Sequence, residues 1–221
     1  MKKMAEVVFI IDKSGSMSGL ESDTIGGFNS LLEKQKKENS DAFLSVIFFN
    51  QISTVVLDRV DIAKVRELTR EDYICMGSTA LLDAIGDSIK HIKNIHKYAR
   101  KEDVPEKTLF VIITDGMENS SRKYRYKEIK ELIEKMKKEN DWEFLFLGAN
   151  IDAIKEARNI GIGEDYAVEF LCDDKGIELN YDAVSNEMYK FLMRKDRKIS
   201  KDWKKNIEKD VKNRKAKNNI K

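Results

Sequence analysis

Three short segments carry hydroxyl and carboxylate oxygens at spacings that could gather around a hard cation. Asp12-Lys13-Ser14-Gly15-Ser16 directly follows the apolar run Val7 to Ile11. Gly77-Ser78-Thr79-Ala80 directly precedes a helical pattern containing Leu82 and Ile85, and Thr114-Asp115-Gly116 directly follows the run Leu109 to Ile113. Asp12, Ser14, Ser16, Thr79 and Asp115 together offer three hydroxyls and two carboxylates, a donor set that suits Mg²⁺, with Mn²⁺ or Ca²⁺ as alternatives. In an extended Asp-x-Ser-x-Ser stretch, alternation points the carboxylate and both hydroxyls one way, and Gly15 permits a tight path. Each segment has an ordinary alternative. Ser14, Ser16 or Ser22 could cap the next helix, Thr79 could cap its own, and Asp115-Gly116 could be a turn. The arrival of all three, in order, at one predicted sheet edge favours a common site.

Four runs require strands buried on both faces: Val7 to Ile11, Val46 to Phe49, Leu109 to Ile113 and Phe144 to Leu147. Between them the apolar period becomes helical, at Ile25, Phe28, Leu31 and Leu32, then Leu82, Ile85, Ile89 and Ile92, then Ile129, Leu132, Ile133 and Met136. Strands alternating with amphipathic helices imply a doubly wound, mainly parallel α/β sheet with helices on both faces. Ile52 to Leu57 follows the second strand after the short Asn50-Gln51 link and predicts an antiparallel edge strand. A weaker segment near Tyr166 to Leu171 predicts the other edge, for six strands in all. Tyr181, Val184, Met188, Phe191 and Leu192 mark a last body helix. The expected organisation is a domain over residues 1–195 and a basic amphipathic helical extension over 196–221, striped by Ile199, Trp203, Ile207 and Val211. That stripe favours docking, onto this body or onto another protein.

Asp12-x-Ser14-x-Ser16, Thr79 and Asp115 resemble the metal-ion-dependent adhesion site of von Willebrand factor type A domains, with all five positions present. The likeness spans residues 4 to about 195, including Gly77-Ser78-Thr79-Ala80-Leu81-Leu82-Asp83-Ala84-Ile85 and Ile113-Thr114-Asp115-Gly116. The resemblance implies a Rossmann-like sheet of strand order 3-2-1-4-5-6. It implies that Ser14, Ser16 and Thr79 coordinate the ion through hydroxyls and that Asp12 and Asp115 bind it directly or through water. A sixth position is then left to an Asp or Glu carboxylate of a partner protein, so the cation is a bridge. The short form, without a disulfide framework, resembles bacterial cytosolic members. In some relatives a helix equivalent to the one around Tyr181 to Leu192 is coupled to ligand state.

Composition narrows the remaining classes. With 41% hydrophobic and 36% charged residues, the 221-residue chain reads as a packed domain with a heavily charged surface, not a disordered one. The net charge of +2 hides an asymmetry: from Arg194 onward there are 13 basic and 4 acidic residues, leaving the body at −7. Cys75 and Cys172 stand far apart with no zinc-like spacing and read as reduced thiols. No apolar stretch reaches the roughly 20 residues needed to span a bilayer, and no signal peptide is evident, so a cytoplasmic protein is expected. His91 and His96 do not share a helix face, and Asp83 and Glu118 are expected to be a first-turn helix acid and a loop acid. No Ser-His-Asp set, phosphate loop or dinucleotide fingerprint occurs; with the five oxygen ligands, this leaves the non-enzymatic, metal-dependent protein-binding module that the resemblance implies as the leading expectation. The enzyme alternative is a Mg²⁺-dependent phosphohydrolase of haloacid-dehalogenase type with Asp12 as nucleophile, although Ser14 stands where such enzymes carry a second Asp. Binding of nucleic acid or an anionic surface through the +9 tail is a further alternative, disfavoured by the acidic body. The sequence leaves the oligomeric state open.

Overall fold

The computed structural model describes residues 5–38, 40–149, 151–193 and 198–218. Its strands are β1 (Ala5–Asp12), β2 (Ala42–Phe49), β3 (Ser53–Asp61), β4 (Lys107–Thr114), β5 (Glu143–Ala149) and β6 (Ala167–Phe170). Its α-helices are α1 (Glu21–Lys37), α2 (Leu81–Tyr98), α3 (Tyr126–Asn140), α4 (Ala153–Asn159), α5 (Asp174–Met193) and α6 (Lys205–Asn218). The strands form one sheet in the order β3-β2-β1-β4-β5-β6. All neighbours are parallel except β2 and β3. This is the doubly wound architecture expected from the alternation of periods.

Every residue of β1 is buried, because the strand is paired on both sides and covered on both faces. Val7, Phe9 and Ile11 enter a core with Phe28 of α1 and Val184, Met188 and Phe191 of α5. Val8 and Ile10 enter the opposite core with Ile85 and Ile89 of α2 and Ile129 and Ile133 of α3. Two cores thus fix β1, and with it the position of Asp12 at its end. On one face α1 and α5 approach so closely that a Cβ at Gly27 would stand 2.3 Å from Tyr181 Cδ2.

The edge strand β3 runs to Asp61, four residues beyond the expected end. It continues past a bulge in which the register shifts between Leu44 and Val46, and Arg59 takes φ +50° with its N–H donating to Ser45 Oγ at 3.0 Å. The Arg59 guanidinium turns inward to Glu6 at 2.8 Å, and His96 meets the same buried carboxylate at 2.5 Å. His91 lies on the exposed side of α2, 3.0 Å from Asp58.

The basic extension lies against the body. Ile199, Trp203 and Ile207 are buried in the core shared with α5, and Trp203 Nε1 donates to the Asp165 carbonyl at 3.0 Å. Lys204 Nζ donates to the carbonyls of Glu164 and Ala167, Lys215 pairs with Glu169 at 2.6 Å, and Arg214 bonds both Asp173 and Asp210. Lys204, Arg214 and Lys215 thus meet acids and carbonyls of the body, while Arg214 also pairs with Asp210 inside α6. The expected boundary between residues 195 and 196 lies outside the described residues.

Candidate metal centre

All three oxygen-bearing segments emerge at the same end of the sheet, after β1, before α2 and after β4. Asp12 ends β1 fully buried, and Lys13 N–H continues the sheet by donating to the Phe49 carbonyl at 2.7 Å. The chain then curls tightly. Ser14 N–H donates back to Asp12 Oδ1 at 2.7 Å, and a 3₁₀ turn over Gly15–Met17 seats Met17 in the core. This turn brings Ser14 Oγ and Ser16 Oγ to 3.1 Å from each other.

The second segment is stitched to the first through backbone. Gly15 N–H donates to the Gly77 carbonyl at 2.9 Å and Met76 N–H to the Lys13 carbonyl at 2.9 Å. Gly77 has φ +80°, a left-handed backbone conformation that favours glycine. Thr79 is buried with its N–H on Asn119 Oδ1 at 2.9 Å, while Asn119 N–H returns to the Thr79 carbonyl at 3.1 Å.

The third segment closes the set. Ser16 Oγ donates to Asp115 Oδ1 at 2.6 Å. A Cβ built on Gly116 would stand 3.2 Å from Thr79 Oγ1 and 3.4 Å from Ser16 Oγ, so both hydroxyls converge over this glycine. Thr114 Oγ1 donates to Asp12 Oδ2 at 2.6 Å and ties the ends of β1 and β4 together. The five predicted residues thus meet in one place, across 104 positions of sequence from Asp12 to Asp115.

Two buried carboxylates share this place, and among the described residues no basic side chain lies within ion-pair distance of either. Burial pushes the Asp12 pKa up to about 6, opposed by the hydrogen bonds from Thr114 and Ser14 and aided by the charge of Asp115. Burial likewise raises Asp115, opposed by the Ser16 hydroxyl. Uncompensated carboxylates beside convergent hydroxyls are what a divalent cation would satisfy, and oxygen donors of this kind fit the group. Among the described residues no cluster of three or more His, Cys, Asp or Glu side chains offers an alternative metal site.

Several supporting residues were not assigned from sequence. Glu118 is no free loop acid: its carboxylate accepts from the N–H groups of Ser120, Ser121 and Leu82, bracing the loop after β4 against the start of α2. Asp83 does sit in the first turn of α2, and it also accepts from the N–H groups of Arg122, Lys123 and Tyr124. The Tyr73 hydroxyl donates to the Asp12 carbonyl, and Cys172 Sγ donates to Asp115 Oδ2 at 3.8 Å. Burial pushes the thiols of Cys75 and Cys172 up to about 12, so both are held protonated.

Solved structures with the same layout identify the architecture. The domain of the type V pili tip protein Mfa5 from Porphyromonas gingivalis, described as a vWF domain, matches with TM-score 0.61 and 10% identity over 89% of this chain and 98% of that one. A von Willebrand factor type A structure from Catenulispora acidiphila matches with TM-score 0.54 and 17% identity over 84% of this chain and 42% of that one. This chain has the von Willebrand factor type A fold. Proximal thread matrix protein 1 from the mussel byssus, in a form with a zinc-occupied MIDAS motif, shares it with TM-score 0.53 and 17% identity, over 83% of this chain and 45% of that one. The type A fold here therefore spans less than half of the Catenulispora and mussel chains. No protein-family model and no curated protein sequence matches the chain.

Proposed function

We propose that this protein is a non-enzymatic binding module that uses a divalent cation to capture an Asp or Glu side chain of a partner protein. The reading is carried by the convergence of Asp12, Ser14, Ser16, Thr79 and Asp115 at the carboxyl end of the central strands, with no basic group among the described residues to neutralise the two acids. Ser14, Ser16 and Thr79 would hold the ion through hydroxyls, and Asp12 and Asp115 would balance its charge. A bound cation supplies Lewis acidity toward an incoming carboxylate. Mg²⁺ is the proposed ion, with Mn²⁺ or Ca²⁺ as the alternatives; the zinc-bound mussel relative supports a divalent ion in this fold.

Binding is preferred to phosphoryl transfer because both Asp12 oxygens already accept hydrogen bonds, from Ser14 N–H and Thr114 Oγ1, which leaves Asp12 poorly disposed as a nucleophile. Association through the tail with nucleic acid is disfavoured because Lys204, Arg214 and Lys215 are engaged with the body. We further propose a cytoplasmic protein of the bacterial type, consistent with two free, protonated thiols. No helix of the described residues is long and apolar enough to cross a membrane. Calorimetric titration with Mg²⁺ and Mn²⁺ tests the ion site: the native protein should bind one ion, and Asp115→Ala should lose it. Equal binding by the two would remove the proposal.

A further inference from the structure

We infer that the face around the candidate ion selects a partner loop whose Asp or Glu is flanked by apolar side chains. The inference rests on the cation-bridging role proposed above and adds the chemistry of what surrounds the acid. It comes from where the chain leaves large apolar groups in solvent. Among the described residues eight such side chains are exposed, and four of them occupy the loops that bear or brace the five oxygens: Ile52 (64%), Ile74 (56%), Met76 (57%) and Met117 (69%). In a chain whose residues are 36% charged, half of the exposed large apolar groups gather at one end of the sheet.

Hydrogen bonds tie this rim to the ligand loops. Met76 N–H is on the Lys13 carbonyl, between Asp12 and Ser14, at 2.9 Å. The Met76 carbonyl accepts from Asn50 Nδ2 at 2.9 Å, and Asn50 Oδ1 accepts from Ile52 N–H at 3.0 Å. Met117 follows Gly116, the residue over which the Ser16 and Thr79 hydroxyls converge. Ile74 borders a shallow cavity of about 320 Å³ shared with Glu21, Ser22, Arg70 and Tyr73, and Tyr73 in turn bonds the Asp12 carbonyl. The cavity thus adjoins the strand end that carries the first ligand.

A cation on loops that also expose aliphatic and thioether groups would discriminate among anions. A free phosphate or acetate gains only the ion contact, whereas a carboxylate set in an apolar segment also covers Met76, Met117 and Ile52 and can place a side chain beside Ile74. Methionine suits this role because its unbranched, polarisable side chain adapts to several neighbours. The occupant with matching charge and matching flanks is therefore an acidic residue in an exposed apolar loop of another protein.

The test uses a panel of fluorescein-labelled heptapeptides, each with one central Glu or Asp, flanked on both sides by Leu or Phe in one set and by Ser in the other. Anisotropy is read in saturating Mg²⁺ and in EDTA, and Mn²⁺ occupancy is followed separately by electron paramagnetic resonance. The apolar set should bind at least tenfold more tightly in Mg²⁺ and lose this advantage in EDTA. The double variant Met76→Ser/Met117→Ser should reduce the advantage at least threefold while binding Mn²⁺ normally. Bound Mn²⁺ with no Mg²⁺-dependent preference for the apolar set, or a preference untouched by the double variant, would overturn the inference and leave the ion site standing. Mg²⁺-driven self-association in sedimentation would overturn it in favour of a second copy as occupant. Absence of Mn²⁺ from the native protein would instead bring down the underlying reading together with this one.

Discussion

Replacing Asp12 by asparagine separates what its charge does for an ion from what that charge costs the fold. Asp12 is fully buried, and its pKa rises from 3.8 to about 6, with burial as the largest cause. A carboxyl whose folded pKa exceeds its unfolded value stabilises the fold in its protonated form. That contribution is complete below pH 3.8 and is lost as pH rises through about 6. At about 1.36 kcal/mol per tenfold change in proton affinity, the ionised group destabilises the ion-free fold by about 3 kcal/mol under mildly alkaline conditions. Asp12→Asn keeps an acceptor for the Ser14 N–H. Its amide N–H would face Thr114 Oγ1, which can turn its own proton to the Gly116 carbonyl 3.2 Å away. In chelator near pH 8 the variant should therefore be more stable than the native protein by up to about 3 kcal/mol. The gap should close as pH falls below 3.8. Urea unfolding followed by the fluorescence of Trp142 and Trp203 measures both. Millimolar Mg²⁺ should raise the native protein alone, by about 2.7 kcal/mol at a hundred times its dissociation constant. A variant less stable than the native protein in alkaline chelator, or a difference independent of pH, would refute the reasoning.

Gly116→Ala should weaken Mg²⁺ binding about tenfold, or about 1.4 kcal/mol, with little effect on unfolding, because its methyl would press on Thr79 Oγ1 at 3.2 Å and Ser16 Oγ at 3.4 Å. Calorimetric titration beside a denaturant curve checks the pair of outcomes. Glu6→Ala should cost about 3–5 kcal/mol, since it strips a buried carboxylate from Arg59 at 2.8 Å and His96 at 2.5 Å and leaves the guanidinium uncompensated; urea titration reads it directly. Trp203→Ala should cost about 3–5 kcal/mol by opening a cavity under the extension and removing the Asp165 contact. Faster proteolysis after residue 198 would accompany that loss, and unchanged stability would mean the tail is not seated.

The strands, and the five oxygen-bearing residues that meet at their ends, are legible because their signals are local. An apolar run of five residues, or Asp-x-Ser-x-Ser behind it, announces itself without knowledge of what lies across the sheet. The braces were not legible, because each depends on a partner distant in sequence: Asn119 on Thr79, Glu118 on Leu82, Cys172 on Asp115. In isolation these read as an ordinary amide, acid and thiol. Helix α4 leaves no apolar stripe in the sequence, because its seven residues bury only the small Ala153 and Ala157. The Ile199, Trp203 and Ile207 stripe showed that the tail had an apolar side, but its seat against β6 and α5 is assembled from residues whose own patterns were already spent on the body.

The seating of the extension also decides how the molecule can polymerise, or fail to. A parallel sheet with an open margin invites another copy to add a strand. Here α6 packs against β6, and Lys204 Nζ donates to the Ala167 carbonyl at 2.9 Å. The opposite margin is kinked by the bulge at Arg59 and carries the acids Asp58 and Asp61. A helix against one edge strand and a bulge in the other both work against strand-to-strand growth. A version trimmed to the α/β body alone would uncover the β6 margin, and fibrous or gelled material from such a preparation would trace to that exposed backbone.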